Sequence, residues 1–168
     1  MSFGCSTVVS RGVSGASSVF LLVAWLIADG SSSTTIDPKS SGSGMSTRVL
    51  NYGRFQGNTA LPTLAATTII SGTSPASTTF APGSDVVTSG STATVLSIVA
   101  TSEASSPSLT NARAFTQRVN ANLYPGSGAL SLGVADAVVA ASGGTTTSPT
   151  WMQSGPLKQW IYATLAFR

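Results

Sequence analysis

The last eleven residues, Lys158–Arg168, read KQWIYATLAFR. Strict alternation splits them into two rows. Ile161, Ala163, Leu165 and Phe167 share one face, and Trp160, Tyr162, Thr164 and Ala166 share the other. Both rows are largely apolar, and β-branched and aromatic residues dominate. This predicts a strand rather than a helix. A second run, TATVLSIVAT over residues 92–101, has the same character. Val95, Ser97 and Val99 fall on one side, with Leu96, Ile98 and Ala100 on the other. A strand that is apolar on both faces belongs in the middle of a covered sheet.

Working outward, strand-like runs alternate with turn clusters about every ten residues. Thr67–Ile70 (TTII) is β-branched throughout, and a turn is expected at Ser71-Gly72-Thr73-Ser74-Pro75. Ala81-Pro82-Gly83-Ser84, Ser89-Gly90-Ser91 and residues 142–149 (SGGTTTSP) supply further breaks. Residues 129–135 alternate through Leu130, Leu132 and Val134 and predict another strand. Residues 108–124 (SLTNARAFTQRVNANLY) fit two patterns. Leu109, Ala112, Phe115, Val119 and Leu123 recur at helical spacing, while Phe115, Val119, Ala121 and Leu123 also share a strand face. Pattern leaves helix and strand both open there. The expected fold is mainly β: a β-sandwich or a jelly-roll or barrel-like domain, with at most one short helix.

The N-terminal part differs. Residues 1–18 are small and polar, and residues 30–46 are almost wholly Ser, Thr and Gly. Between them lies VFLLVAWLIA, residues 19–28. Ten apolar residues are too few to cross a bilayer, which takes about 20. Arg11 upstream and Ala28-Asp29-Gly30 downstream give the run the look of a secretory signal. It is expected instead to be a buried structural strand. The expected division is an extended N-terminal arm and connector over 1–46, followed by a β-rich domain over 47–168. Ordering an arm costs about 1–2 kcal/mol per residue in backbone entropy. The arm is therefore expected to clasp a neighbouring chain through Val19, Phe20, Leu21, Leu22, Trp25 and Leu26.

Composition narrows the function. Only 8% of the 168 residues are charged, and the net charge is +3, against a usual charged share of about 25%. Ser and Thr supply about three residues in ten. Such a surface loses its water cheaply and suits burial against other subunits. The six arginines are scattered singly, so no nucleic-acid face is expected. One cysteine, Cys5, rules out an intrachain disulfide.

The chain has no histidine, which removes Ser-His-Asp and Cys-His machinery and the commonest general base. A Ser-Lys pair would need a desolvated lysine. Lys39 lies in a polar connector, and Lys158 follows Gly155-Pro156 at a strand start. The acids Asp29, Asp37, Asp85, Glu103 and Asp136 sit beside Gly, Pro, Ser or Ala, in settings ordinary for turns and caps. No catalytic residue, cofactor or metal is expected. Trp151, Trp160 and Tyr162 crowd the C-terminal quarter. They are expected to anchor a subunit interface, with a sugar-stacking platform as the alternative.

The run from Thr67 to Ala100, with SGTSP, FAPGSD and TSGST between apolar strands, resembles structural proteins of tailed-bacteriophage virions. It is similar in manner to head decoration (cement) proteins and to some tail or fibre proteins. QWIYATLAFR looks like the closing strand of such a domain. The resemblance spans roughly residues 45–168. It implies a non-enzymatic virion component, a symmetric homo-oligomer with a trimer favoured, which binds major capsid protein or other virion subunits. Alternatives are a tail or fibre receptor- or glycan-binding module, and a secreted surface or pilus subunit.

Overall fold

The computed structural model describes residues 6–13, 19–25, 64–72, 79–80, 86–88, 92–102, 105–111, 114–123, 130–139, 144–146, 149–153 and 159–167. The connector at 30–46, the boundary at 46/47, Leu26, Cys5, Lys39 and Lys158 lie outside them, as do Asp29, Asp37, Asp85 and Glu103. The described residues form twelve strands and no helix. They are β1 Ser6–Val13, β2 Val19–Trp25, β3 Leu64–Gly72, β4 Thr79–Phe80, β5 Val86–Thr88 and β6 Ala93–Thr101. The rest are β7 Ser108–Asn111, β8 Thr116–Leu123, β9 Leu130–Val139, β10 Gly144–Thr146, β11 Thr150–Met152 and β12 Trp160–Phe167. All pairings are antiparallel, and the sheets are open. A five-stranded sheet runs β3-β12-β6-β9-β8, and a three-stranded sheet runs β4-β11-β7. β1 pairs with β2, and β10 with β5.

The two runs that decide the fold are neighbours at the centre of the large sheet. β12 lies between β3 and β6, and β6 lies between β12 and β9. Tyr162 stands opposite Val99 and Thr164 opposite Ser97. Ser97 in turn stands opposite Ala135. The alternation read from sequence becomes two cores. Val95, Val99, Phe115, Ala135, Ala137, Tyr162 and Ala166 form one with Trp151 of the three-stranded sheet. Ile98, Ala100, Leu132, Ile161, Ala163 and Leu165 form the other with Leu21 of β2. β12 is therefore covered on both sides, which is why neither of its faces is polar. A fully buried Trp or Tyr removes about 150–250 Å² from water. At about 25 cal/mol per Å² that is at most about 4–6 kcal/mol each before entropy.

The N-terminal strands pack on the chain's own large sheet. Val19–Trp25 is a strand, as its composition predicts, but it pairs with Ser6–Val13 in a hairpin. Leu21 is buried and Val23 half-buried against the large sheet of the same chain. Leu21 and Val23 thus find an apolar face at home. Over residues 6–13 and 19–25 the chain is a hairpin on its own sheet.

Within residues 108–124 the described residues form two strands, β7 and β8. Ala114 turns between them with φ at 71°, in the left-handed region where an L-residue other than Gly, Asn or Asp is strained. Gln117 then ties the pair together. Its Oε1 accepts the Leu109 amide at 3.4 Å, and its Nε2 donates to the Pro107 carbonyl at 3.1 Å. β8 carries a bulge between Gln117 and Val119. One extra residue inverts every later side chain. Phe115, ahead of the bulge, joins the core shared with Trp151. Val119, behind it, packs on the core shared with Leu21. Simple alternation put these two residues on one face; the bulge separates them.

Gly133 of β9 supplies the closest fit. A Cβ there would stand 2.6 Å from Cζ3 of Trp151 and 2.9 Å from Cγ of Pro107. Gly133→Ala is expected to destabilise the fold by about 1–3 kcal/mol, as overpacking of a tight core does. Ala114→Gly is expected to stabilise it by up to about 1 kcal/mol by removing the positive-φ strain. Urea unfolding midpoints at unchanged slope measure both. A neutral Gly133→Ala would contradict the close seating of the indole.

Candidate functional site

The aromatic residues flagged in the C-terminal quarter are brought together, but inside the chain. Trp151 and Tyr162 are fully buried, and Trp160 is half-buried against the same core. The expected subunit anchor or sugar-stacking platform would draw on surface rings, and the rings of Trp151 and Tyr162 lie inside the chain. Trp151 and Tyr162 are spent on joining the three-stranded sheet to the large one. A chain of hydrogen bonds completes the join. Trp151 Nε1 donates to Ser97 Oγ at 2.9 Å, and Ser97 Oγ donates to the Tyr162 hydroxyl at 3.2 Å. The Tyr162 hydroxyl donates to the Pro149 carbonyl at 3.2 Å, and Thr164 Oγ1 donates to that same hydroxyl at 3.1 Å. Ser97 and Thr164 are fully buried. The Ser97 and Tyr162 hydroxyls each both give and receive, so these polar atoms cross an apolar core at little cost.

A second polar group secures one end of the sheets. The Ser102 amide donates to the Gln159 carbonyl at 2.9 Å, and the Gln159 amide donates to Ser102 Oγ at 3.1 Å. The Gln153 side chain donates through Nε2 to the Ser105 carbonyl. Both glutamines are buried, so they serve the fold and not the surface. Among the described residues, no group of three His, Cys, Asp or Glu side chains is placed to hold a metal ion. No helix of the described residues is long and apolar enough to cross a membrane.

What the described surface offers is the β8–β9 margin of the large sheet. Thr116, Arg118, Asn120 and Asn122 of β8 are exposed. Val138 of β9 is 70% exposed. Val119 and Val134 beside it are half-buried on the face that carries Leu21. Arg118 is the residue added by the bulge. It pairs with Asp136 through Nε to Oδ1, and through Nη2 to Oδ2 at 3.3 Å. The Asp136 hydrogen bond, then its charge, holds the guanidinium pKa above its ordinary value. Any stability from that shift is present below the ordinary arginine range and is lost only as pH rises through the raised value. Arg118 is thus cationic throughout the range in which proteins are handled, and its charge is matched by Asp136. Asp136 stands inside a strand, not in the turn or cap its neighbours suggested.

Of the apolar segment expected to clasp a neighbour, Val19, Phe20, Leu22 and Trp25 stand in β2, and Leu21 is turned onto the chain's own sheet. Sequence reading did not single out Ser97, Thr164 or Gly133. A lone Ser in the centre of TVLSIVA was the available signal, because a hydroxyl in a doubly buried strand needs a partner.

No protein-family model, curated protein or solved structure matches the chain.

Ser97→Ala is expected to cost about 1–3 kcal/mol, because it strands the buried indole N–H of Trp151. Tyr162→Phe is expected to cost less when made on top of Ser97→Ala than alone, since the two hydroxyls share one bond. A double-mutant cycle by urea unfolding checks this, and strict additivity would contradict the network.

Proposed function

We propose that the chain is a non-enzymatic structural subunit of a virion-type assembly, with capsid decoration (cement) as the specific role. The observation that carries this reading is the β8–β9 margin. There an exposed valine and half-buried valines adjoin a strand whose only charge is neutralised within the chain. A sheet margin of that kind loses little on being covered by another subunit. The composition supports it, since 8% charged residues leaves few strongly hydrated groups to strip away. The resemblance of residues 45–168 to tailed-phage structural proteins supports the virion setting, with major capsid protein or other virion subunits as partners.

The layering also fits a building block. The large sheet faces the three-stranded sheet across Trp151 and Tyr162, and the hairpin lies on its other side. We read this as a sandwich-like body rather than a closed barrel. Subunit contacts in this reading come from the sheet margin, and the N-terminal hairpin stays on its own chain. A glycan-binding fibre module would need its aromatic platform exposed, and Trp151 and Tyr162 are spent inside.

Light scattering on the purified full chain at micromolar concentration tests the reading. The expected mass is a multiple of the 16.8 kDa chain. A monomer that neither self-associates nor binds virion shells would overturn it.

A further inference from the structure

We propose that β8 is the seam along which two copies of this chain join, antiparallel, extending the five-stranded sheet across a twofold axis. This rests on the structural role proposed above and names the partner at the margin as a second copy.

The strand order places β8 at the end of the large sheet, with β9 on one side and, among the described residues, no strand on the other. In an antiparallel sheet, alternate residues of an end strand direct their N–H and C=O groups away from the sheet. The opposite end is approached by the chain itself, because β3 contacts both β5 and β1. β7 also approaches β8, and Gln117, which bonds to Leu109 and Pro107, lies ahead of Val119–Leu123. Among the described residues, the Val119–Leu123 stretch of β8 is therefore the freer edge.

Edges are ordinarily guarded by charge, since two copies of a cationic strand repel. Here the guard is Arg118, and it is held by Asp136 of the same chain through two donor–acceptor pairs. The other exposed residues of the strand, Thr116, Asn120 and Asn122, are uncharged. The edge meets its own copy without a charge penalty.

The bulge sets the register. It lies between Gln117 and Val119, which leaves Val119–Leu123 as the regular stretch. A twofold axis through the middle of that stretch falls on Ala121. Asn120 then stands opposite Asn122 of the second copy, and the reverse. An asparagine amide both donates and accepts, so two such pairs match without any other group. Position 119 stands opposite position 123. The strip of Val119, Val134 and Val138 beside the edge then continues into the same strip of the second copy.

Cysteine cross-linking in a Cys5→Ser background tests the seam. Ala121→Cys alone is expected to form a disulfide-linked homodimer under mild oxidation. Asn120→Cys mixed with Asn122→Cys is expected to link more than either variant alone, and Thr116→Cys to link little. Because these side chains lie at the margin, circular dichroism of each variant should match the parent. As a second arm, Asn120→Lys with Asn122→Lys brings like charges together and is expected to weaken self-association at least about tenfold. If the chain is oligomeric but residues 120–122 do not cross-link and the lysine variant associates like the parent, the seam is wrong while the structural role stands. If the chain is monomeric and binds no virion shell, both are wrong.

Discussion

The indole of Trp151 rests on the bare backbone of Gly133 and donates to Ser97, and the rest of the structure depends on that contact. The three-stranded sheet has no long strand of its own: β4, β11 and β7 are two to four residues each. Such short strands do not stand alone. They hold because one large ring from β11 fills the space above β9 and β6. The hydrogen bonds from Ser97 to Tyr162, and from Tyr162 to Pro149, then return the connection to the chain just ahead of β11. Apolar packing supplies the energy, and the polar path fixes which ring meets which strand.

The same path gives the hydroxyls of Ser97 and Thr164 a place in the core. Ser97, Thr101, Ser102, Ser131 and Thr164 are all buried in or beside the central strands. A few of the hydroxyls in this Ser- and Thr-rich sequence are thus core. A hydroxyl is small enough to sit beneath an aromatic ring, and it can pass a hydrogen bond on. The same economy reaches the margin, where Asp136 holds the one cation of β8 and leaves asparagines and valines to face outward.

Much of this fold was legible in the sequence. β6 and β12 announce themselves by being apolar on both faces, and their side-chain rows are the two cores observed. Residues 108–124 could not be decided because helical and strand spacing coincide over Leu109, Phe115, Val119 and Leu123. The bulge after Gln117 breaks the strand pattern at the point where the pattern was needed. The destination of Trp151 was illegible for another reason. TWM is too short to show a period, and only the distant Gly133 reveals that a ring is received there. The segment 19–25 was recognisable as a strand, but its placement was not. An apolar strand is equally suited to its own sheet and to a neighbour's, and Leu21 shows that the chain's own sheet takes it.

The central claim is that Trp151 is locked between the sheets. Hydrogen exchange of its indole N–H, followed by NMR on the intact chain, tests this most directly. The account predicts exchange as slow as the slowest backbone amides of β6 and β12, because the indole is released only when the whole sheet opens. Exchange orders of magnitude faster than those amides would show that the three-stranded sheet lifts away by itself, and would contradict the account.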